Sequence, residues 1–179
     1  RFSFIPFPYL ETERLYLRQL KTSDEKEILE LRSDEIVRQF LDRPKALTID
    51  DARAFINKIS EGISRNEWIY WAILFEEDPK LIGSICLWNL SPEESKAEIG
   101  FELLPSHHGK GIITEAIKPV LGFGFDVMGL EMIDAEVTPD NLKSIKVLEK
   151  FNFKKVSGQD KNESKEEVNK QTVIYRLTR

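Results

Sequence analysis

One cysteine, Cys86, in 179 residues leaves no internal disulfide to form. Histidine is nearly as scarce, with two in all standing side by side at His107 and His108, so no Cys/His spacing exists for a structural zinc. No apolar run reaches the roughly 18 residues that cross a bilayer, and the apolar opening RFSFIPFPYL is interrupted by Pro6 and Pro8. No membrane anchoring or export is expected, and a reducing cytoplasm is the expected compartment. Basic residues are outnumbered: 26 Lys and Arg against 31 Asp and Glu give a net charge of −5. That argues against a nucleic-acid partner, because neutralising phosphates needs a basic surface. An acidic surface suits cationic or amine partners. What is present is a globular composition, 41% hydrophobic and 32% charged, long enough for one domain expected to span residues 1–179.

The order of elements is legible from periodicity. Arg14 to Leu20 alternates as a half-buried strand. Thr22 with Glu25 has capping-box spacing before a short helix carrying Ile28 and Leu31, and Thr48 with Asp51 opens a clearer one carrying Ala52, Phe55, Ile56, Ile59 and Ile63. Three strands are then predicted at Trp68 to Phe75, Leu81 to Trp88 and Lys96 to Leu104, with connections short enough for antiparallel hairpins. A helix follows from Ile112 with Pro119 inside it, then a strand over Met132 to Thr138, a helix over Asn141 to Lys150, and strands over Phe153 to Val156 and Thr172 to Leu177. This order is an α+β mixed sheet.

The sharpest local feature is the turn His108-Gly109-Lys110-Gly111, placed after a strand and opening a helix. Helix N-termini carry unpaired N–H groups and partial positive charge, and glycines let phosphate oxygens reach that backbone. The same glycines also suit a plain tight turn. A Walker A loop is excluded, since Leu104 stands where its first glycine belongs and Gly111 where its Ser or Thr belongs. A dinucleotide fingerprint would need a third glycine where Thr114 stands, inside a βαβ unit that an antiparallel meander does not supply.

Three blocks carry a family likeness: LETERLYLRQL early, AEIGFELLPSHHGKGIITEA in the middle and NLKSIKVLEKFNFKKV late. Together they resemble the GNAT superfamily of acyl-CoA-dependent N-acyltransferases, and within it the ribosomal-protein N-terminal acetyltransferase branch. The resemblance implies a three-layer fold whose central mixed, mostly antiparallel sheet is splayed and flanked by helices. It also implies acetyl-CoA as cosubstrate and a primary amine as acceptor, specifically the N-terminal α-amine of a protein or peptide, attacked directly through a tetrahedral intermediate. The superfamily loop reads Gln or Arg, two residues, Gly, one residue, then Gly or Ala; here His108, Gly111 and Ile113 fill those places. The implied cosubstrate contacts are Phe101, Leu103 and Leu104 on the strand, His108, Gly109, Lys110, Gly111, Ile112, Ile113 and Thr114 at the loop, and Asn141 and Ser144 on the late helix. A non-catalytic acyl-CoA- or dinucleotide-binding module is the alternative, and a monomer or homodimer is expected.

Aminolysis of a thioester needs the amine as free base, donors for the oxyanion and a proton for the leaving thiolate. Alternation in Lys96 to Leu104 puts Glu98, Gly100, Glu102 and Leu104 on one face. Glu98 matches the acidic position of the branch's AEIG pattern and is the candidate base, directly or through water; two solvated or salt-bridged glutamates are the structural alternative. The resemblance makes Ser144 the candidate proton donor and Asn141 a ligand of the pantetheine arm, while a helix cap accounts for Asn141 equally. Many superfamily members have a Tyr where this chain has Leu148, which cannot donate a proton. Cys86 and the tryptophans read as packing residues, with one Trp available as a substrate wall. The two early helices and the loop from Gly158 to Lys170 are expected to wall the acceptor.

Overall fold

The computed structural model describes residues 2–41, 43–156 and 171–179, so the loop from Gly158 to Lys170 lies outside the described residues. Among the described residues, eight strands form one mixed sheet: β1 (Leu10–Glu11), β2 (Leu15–Arg18), β3 (Ile69–Phe75), β4 (Gly83–Ser91), β5 (Lys96–Leu103), β6 (Met132–Val137), β7 (Lys154–Lys155) and β8 (Val173–Thr178). Their spatial order is β1-β2-β3-β4-β5-β6-β8-β7, and every pair is antiparallel except β5 with β6. The helices are α1 (Glu25–Ser33), the single turn α2 (Glu35–Arg38), α3 (Ile49–Ser64), α4 (Ile112–Gly122) and α5 (Leu142–Lys150). Among the described residues no helix is long and apolar enough to cross a membrane.

Local chemistry explains where the first helices start. At α3 the expected box forms: Asp51 N–H donates to the Thr48 hydroxyl at 3.1 Å, and Thr48 N–H donates back to the Asp51 carboxylate at 3.1 Å. At α1 the box expected of Thr22 and Glu25 is replaced by Asp24, whose carboxylate accepts from Lys21 N–H at 2.7 Å. The reason is tertiary. Asp24 is held by a two-pronged pair with Arg18 on β2 (2.8 and 2.9 Å), both residues buried, while Glu25 turns outward to Arg53. Removing one partner of such a pair strands a buried charge, at a cost of about 3–5 kcal/mol.

The register of the meander sets up the functional face. Tyr70, Cys86 and Gly100 lie in one cross-strand row, and Ala72, Ser84 and Glu102 in the next. The strand expected at Leu81 to Trp88 lies over Gly83–Ser91 instead. Leu81 and Ile82 are buried just ahead of it, and a bulge between Trp88 and Ser91 prolongs it. Gly83 is required by close approach, because a Cβ there would fall 2.4 Å from the Glu102 carbonyl oxygen. Leu104, expected on the open face, stands beyond β5 and is buried: its N–H donates to the Ile82 carbonyl at 2.9 Å, and Pro105 then turns the chain.

The opposite face of the sheet is covered by α4. Trp71 of β3 meets Phe123 edge-on just past the helix, and Gly124 allows contact with Ile133 of β6. Pro119 stays inside α4, and beyond Gly122 the chain continues as a π-helical stretch, Phe123–Val127. α1 and α3 pack together on the side that carries Tyr70 and Glu98. The sheet thus lies between helices on both faces.

The parallel pair β5–β6 is short. It joins Lys96 to Met132, Ala97 to Ile133 and Glu98 to Asp134, and then the strands part. Each keeps its outer neighbour: β5 stays on β4 as far as Leu103, and β6 stays on β8 as far as Val137. Strand twist then opens a wedge between them. The splay begins mid-strand, at Glu98.

Candidate active site

The wedge continues into a cleft of about 770 Å³ on the α1–α3 side. Glu98, Gly100 and Glu102 point into it from β5, as alternation requires, while Ala97, Ile99 and Leu103 are buried behind them. Glu98 is half-buried at the point where the strands separate. Burial raises its pKa above the ordinary carboxylate range, the charge of Glu136 raises it further, and a hydrogen bond with the Asn89 side chain pulls the other way. Asn89 reaches it from the β4 bulge, where its φ is 49°. Beside Glu98 in register, Asp134 is buried and neutralised by Arg176 in a two-pronged pair (2.7 and 3.0 Å). Glu98 therefore has acidic neighbours, Lys96 opposing them, and among the described residues no arginine pairs with it, the environment of a base working nearer neutral pH.

The two glutamates of β5 have different fates. Glu102 hydrogen-bonds to Arg43, whereas Glu98 is left facing the open wedge. Between them, Gly100 leaves room above Cys86, whose Sγ would lie 3.3 Å from a Cβ at that position. Cys86 is buried and its thiol is pushed up to about 12, chiefly by desolvation, so it is not a thiolate at neutral pH. Tyr70 beside it is likewise raised by burial and stays protonated. Trp71 is buried, with its indole N–H on the Pro8 carbonyl at 2.7 Å, whereas Trp68 and the 42%-exposed Trp88 both line the cleft.

Across the wedge, the start of α5 brings Asn141 and Ser144 to the same cleft. Asn141 caps the helix, its side-chain oxygen accepting from Ser144 N–H at 3.3 Å. The cap occupies only that oxygen, and the amide NH₂ remains a donor. Thr138 also lines this side, buried, with no hydrogen-bond partner for its hydroxyl among the described residues. Leu148 is fully buried in the core.

The glycine turn follows β5. Gly109 and Gly111 have φ of +78° and +75°, a conformation that side chains resist. Gly111 is the N-cap of α4 and offers no side chain, so unlike α3 and α5 this helix begins with its first-turn N–H groups uncapped. The turn is anchored around its rim. His108 Nε2 hydrogen-bonds to the Leu103 carbonyl at 2.9 Å, and Arg14 donates to the Lys110 carbonyl at 2.9 Å and to Glu115 at 2.7 Å. Glu115 also accepts from the Thr12 hydroxyl and from Arg14 N–H at 2.9 Å, tying α4 to the β1–β2 edge. Of the expected cosubstrate residues, Leu103, Leu104 and Ile112 have side chains in the core, so they can contribute only backbone, while Phe101 lines the cleft.

Sequence reasoning misses Arg32, Arg43, Asn89, Thr138 and Glu136, all at the site or beside it. They come from four separate stretches, and no local spacing signals them.

Residues 14–154 match the family model of the acetyltransferase (GNAT) domain, and the chain belongs to that family of N-acetyltransferases. It is 34% identical over 149 residues to the uncharacterized N-acetyltransferase YoaA of Bacillus subtilis, covering 83% of this chain and 84% of that one. Its fold matches the ribosomal-protein-S5-alanine acetyltransferase from Vibrio fischeri with a TM-score of 0.82 at 21% identity, over 96% of each chain. It also matches RimL, a ribosomal α-N-protein acetyltransferase solved with coenzyme A, with a TM-score of 0.83 at 18% identity, over 96% of this chain and 98% of that one.

Proposed function

We propose that this enzyme transfers the acetyl group of acetyl-CoA to the N-terminal α-amine of a protein or peptide, with Glu98 as general base and Ser144 as proton donor to the leaving thiolate. The observation that carries it is the meeting of Glu98, Asn141 and Ser144 in one cleft where β5 and β6 part. The residues fit the cosubstrate. The uncapped first turn of α4, with nothing within 4 Å of a Cβ at Gly109, suits a pyrophosphate, and the Asn141 amide suits a carbonyl of the pantetheine arm.

The acceptor nitrogen attacks the thioester carbonyl while its proton passes to Glu98, directly or through one water. Past Glu98, the β5 N–H groups that face away from β4 have lost their β6 partners, and one of them is the donor for the oxyanion. The C–S bond then breaks and Ser144 protonates the sulfur, a role that Leu148 cannot fill. An α-amine has a reference pKa of about 8 against about 10.4 for lysine, so a carboxylate base suffices for it.

Thiol release from acetyl-CoA tests this, using a peptide with a free N-terminus and the same peptide blocked there but carrying a lysine. Faster release with the first is expected. Equal rates would leave an N-acetyltransferase of unassigned acceptor. Acetyl-CoA at a hundred times its Kd should stabilise the fold by about 2.7 kcal/mol, and a melting shift with NAD but none with acetyl-CoA would overturn the cosubstrate assignment.

A further inference from the structure

The end of the cleft under α1 and α3 has the opposite charge to the molecule as a whole. Arg32, Arg43 and Lys58 line it, and Glu102 is the carboxylate that faces Arg43. Arg43 gives Glu102 only its Nη1; its Nε and Nη2 are buried with no hydrogen-bond partner among the described residues. A guanidinium has five donors, and leaving the three on Nε and Nη2 dry inside a cleft is costly unless a ligand takes them up. Arg32 is fixed over the Phe55 ring at 3.7 Å, and burial together with the neighbouring Arg43 charge disfavours its cation, a strain that an incoming anion would relieve. We propose that Arg32 and Arg43 form a subsite for a carboxylate carried by the acceptor, a short distance from the amine that reacts.

A spacing follows from the sheet. Glu98 and Glu102 lie four residues apart on β5, about 13 Å at strand rise. An extended peptide whose amine sits at Glu98 therefore brings its third or fourth residue to Arg43. The acceptor class is a peptide N-terminus followed at those positions by Asp or Glu. This rests on the acyl-transfer reading above, and it reverses the expectation from net charge, since a polyamine would meet two guanidinium groups here.

Four peptides, identical except for Asp, Glu, Asn or Lys at the third and fourth residues, test it by turnover and by calorimetric binding of each to the protein. The acidic peptides should show a KM and a Kd lower than the Lys peptide by about 10- to 100-fold, the range of a charge-assisted hydrogen-bond pair. That ratio should collapse in Arg32→Gln and in Arg43→Gln/Glu102→Gln, the double change removing the ion pair without stranding a charge. Equal binding of all four by the wild-type protein, or tighter binding of the Lys peptide, overturns the subsite. If no peptide is acetylated, an ω-amino acid and the diamine of matching length separate the two claims. Preference for the amino acid keeps the subsite and removes the N-terminal acceptor; preference for the diamine removes both.

Discussion

Gly111 is the position where one atom most sharply separates an anion cradle from a plain turn. It holds φ +75° at the N-cap of α4, and a Cβ there would meet only Arg14 Nη2, at 3.7 Å, an ordinary contact. A side chain is therefore resisted by backbone strain alone, about 1–2 kcal/mol, at the low end for Asn and Asp. In Gly111→Asp the negative charge recovers some 0.3–1 kcal/mol from the helix dipole. The net loss is about 1 kcal/mol or less, a fall in Tm of roughly 2–4 °C for a chain of this size. Binding responds differently. A carboxylate about 5 Å from a phosphate charge repels it by roughly 1–3 kcal/mol between bulk water and an effective dielectric of 20, so acetyl-CoA should bind about 10- to 100-fold more weakly. Gly111→Asn has nearly the same shape and strain without the charge, and should keep most of the affinity. Calorimetry with acetyl-CoA on both variants, alongside their melting curves, is the assay. Equal loss in the two would mean that bulk and not charge matters, and unchanged affinity in Gly111→Asp would refute the cradle.

Glu98→Gln should lower kcat by about 10²- to 10⁴-fold and abolish the acid limb of the pH profile of kcat/KM, while Glu136→Gln should move that limb to lower pH; a limb surviving in Glu98→Gln would mean another base. Because burial and the Glu136 charge raise its pKa, folding holds the Glu98 proton; that stabilisation is complete below the ordinary carboxylate range and is lost as pH rises through the raised value. The melting temperature of Glu98→Gln should thus gain on wild type as pH rises from the ordinary carboxylate value through the raised one, a stability–activity trade-off. Cys86→Ala should keep its activity, since a buried thiol raised to about 12 is no nucleophile; an acetyl group trapped on Cys86 by mass spectrometry would contradict the direct mechanism. Gly62→Ala should cost about 1–3 kcal/mol, seen as a Tm several degrees lower, because its Cβ would lie 2.0 to 2.4 Å from the Trp68 indole that lines the cleft.

Local rules made much of this protein legible in one dimension. Alternation marked β2 through β5, because burying one face of a strand selects every second residue. The Thr48 and Asp51 box opened α3 as expected, since both partners lie within one turn. The Gly109 and Gly111 turn could be read because positive φ demands glycine, and Glu98 was picked out by its face on β5 and by family likeness. Tertiary structure decided what no spacing encodes. Asp24 displaced the expected cap because Arg18, on another element, fixes its carboxylate. The splay starts at Glu98 because β5 and β6 each follow an outer neighbour with its own twist. Glu98 and Glu102 look equivalent two positions either side of Gly100, yet Arg43 pairs with one and Glu136 repels the other. Net charge gave the wrong sign for the end of the cleft under α1 and α3, because a sum over the chain is blind to where the fold brings Arg32, Lys58 and Arg43 together.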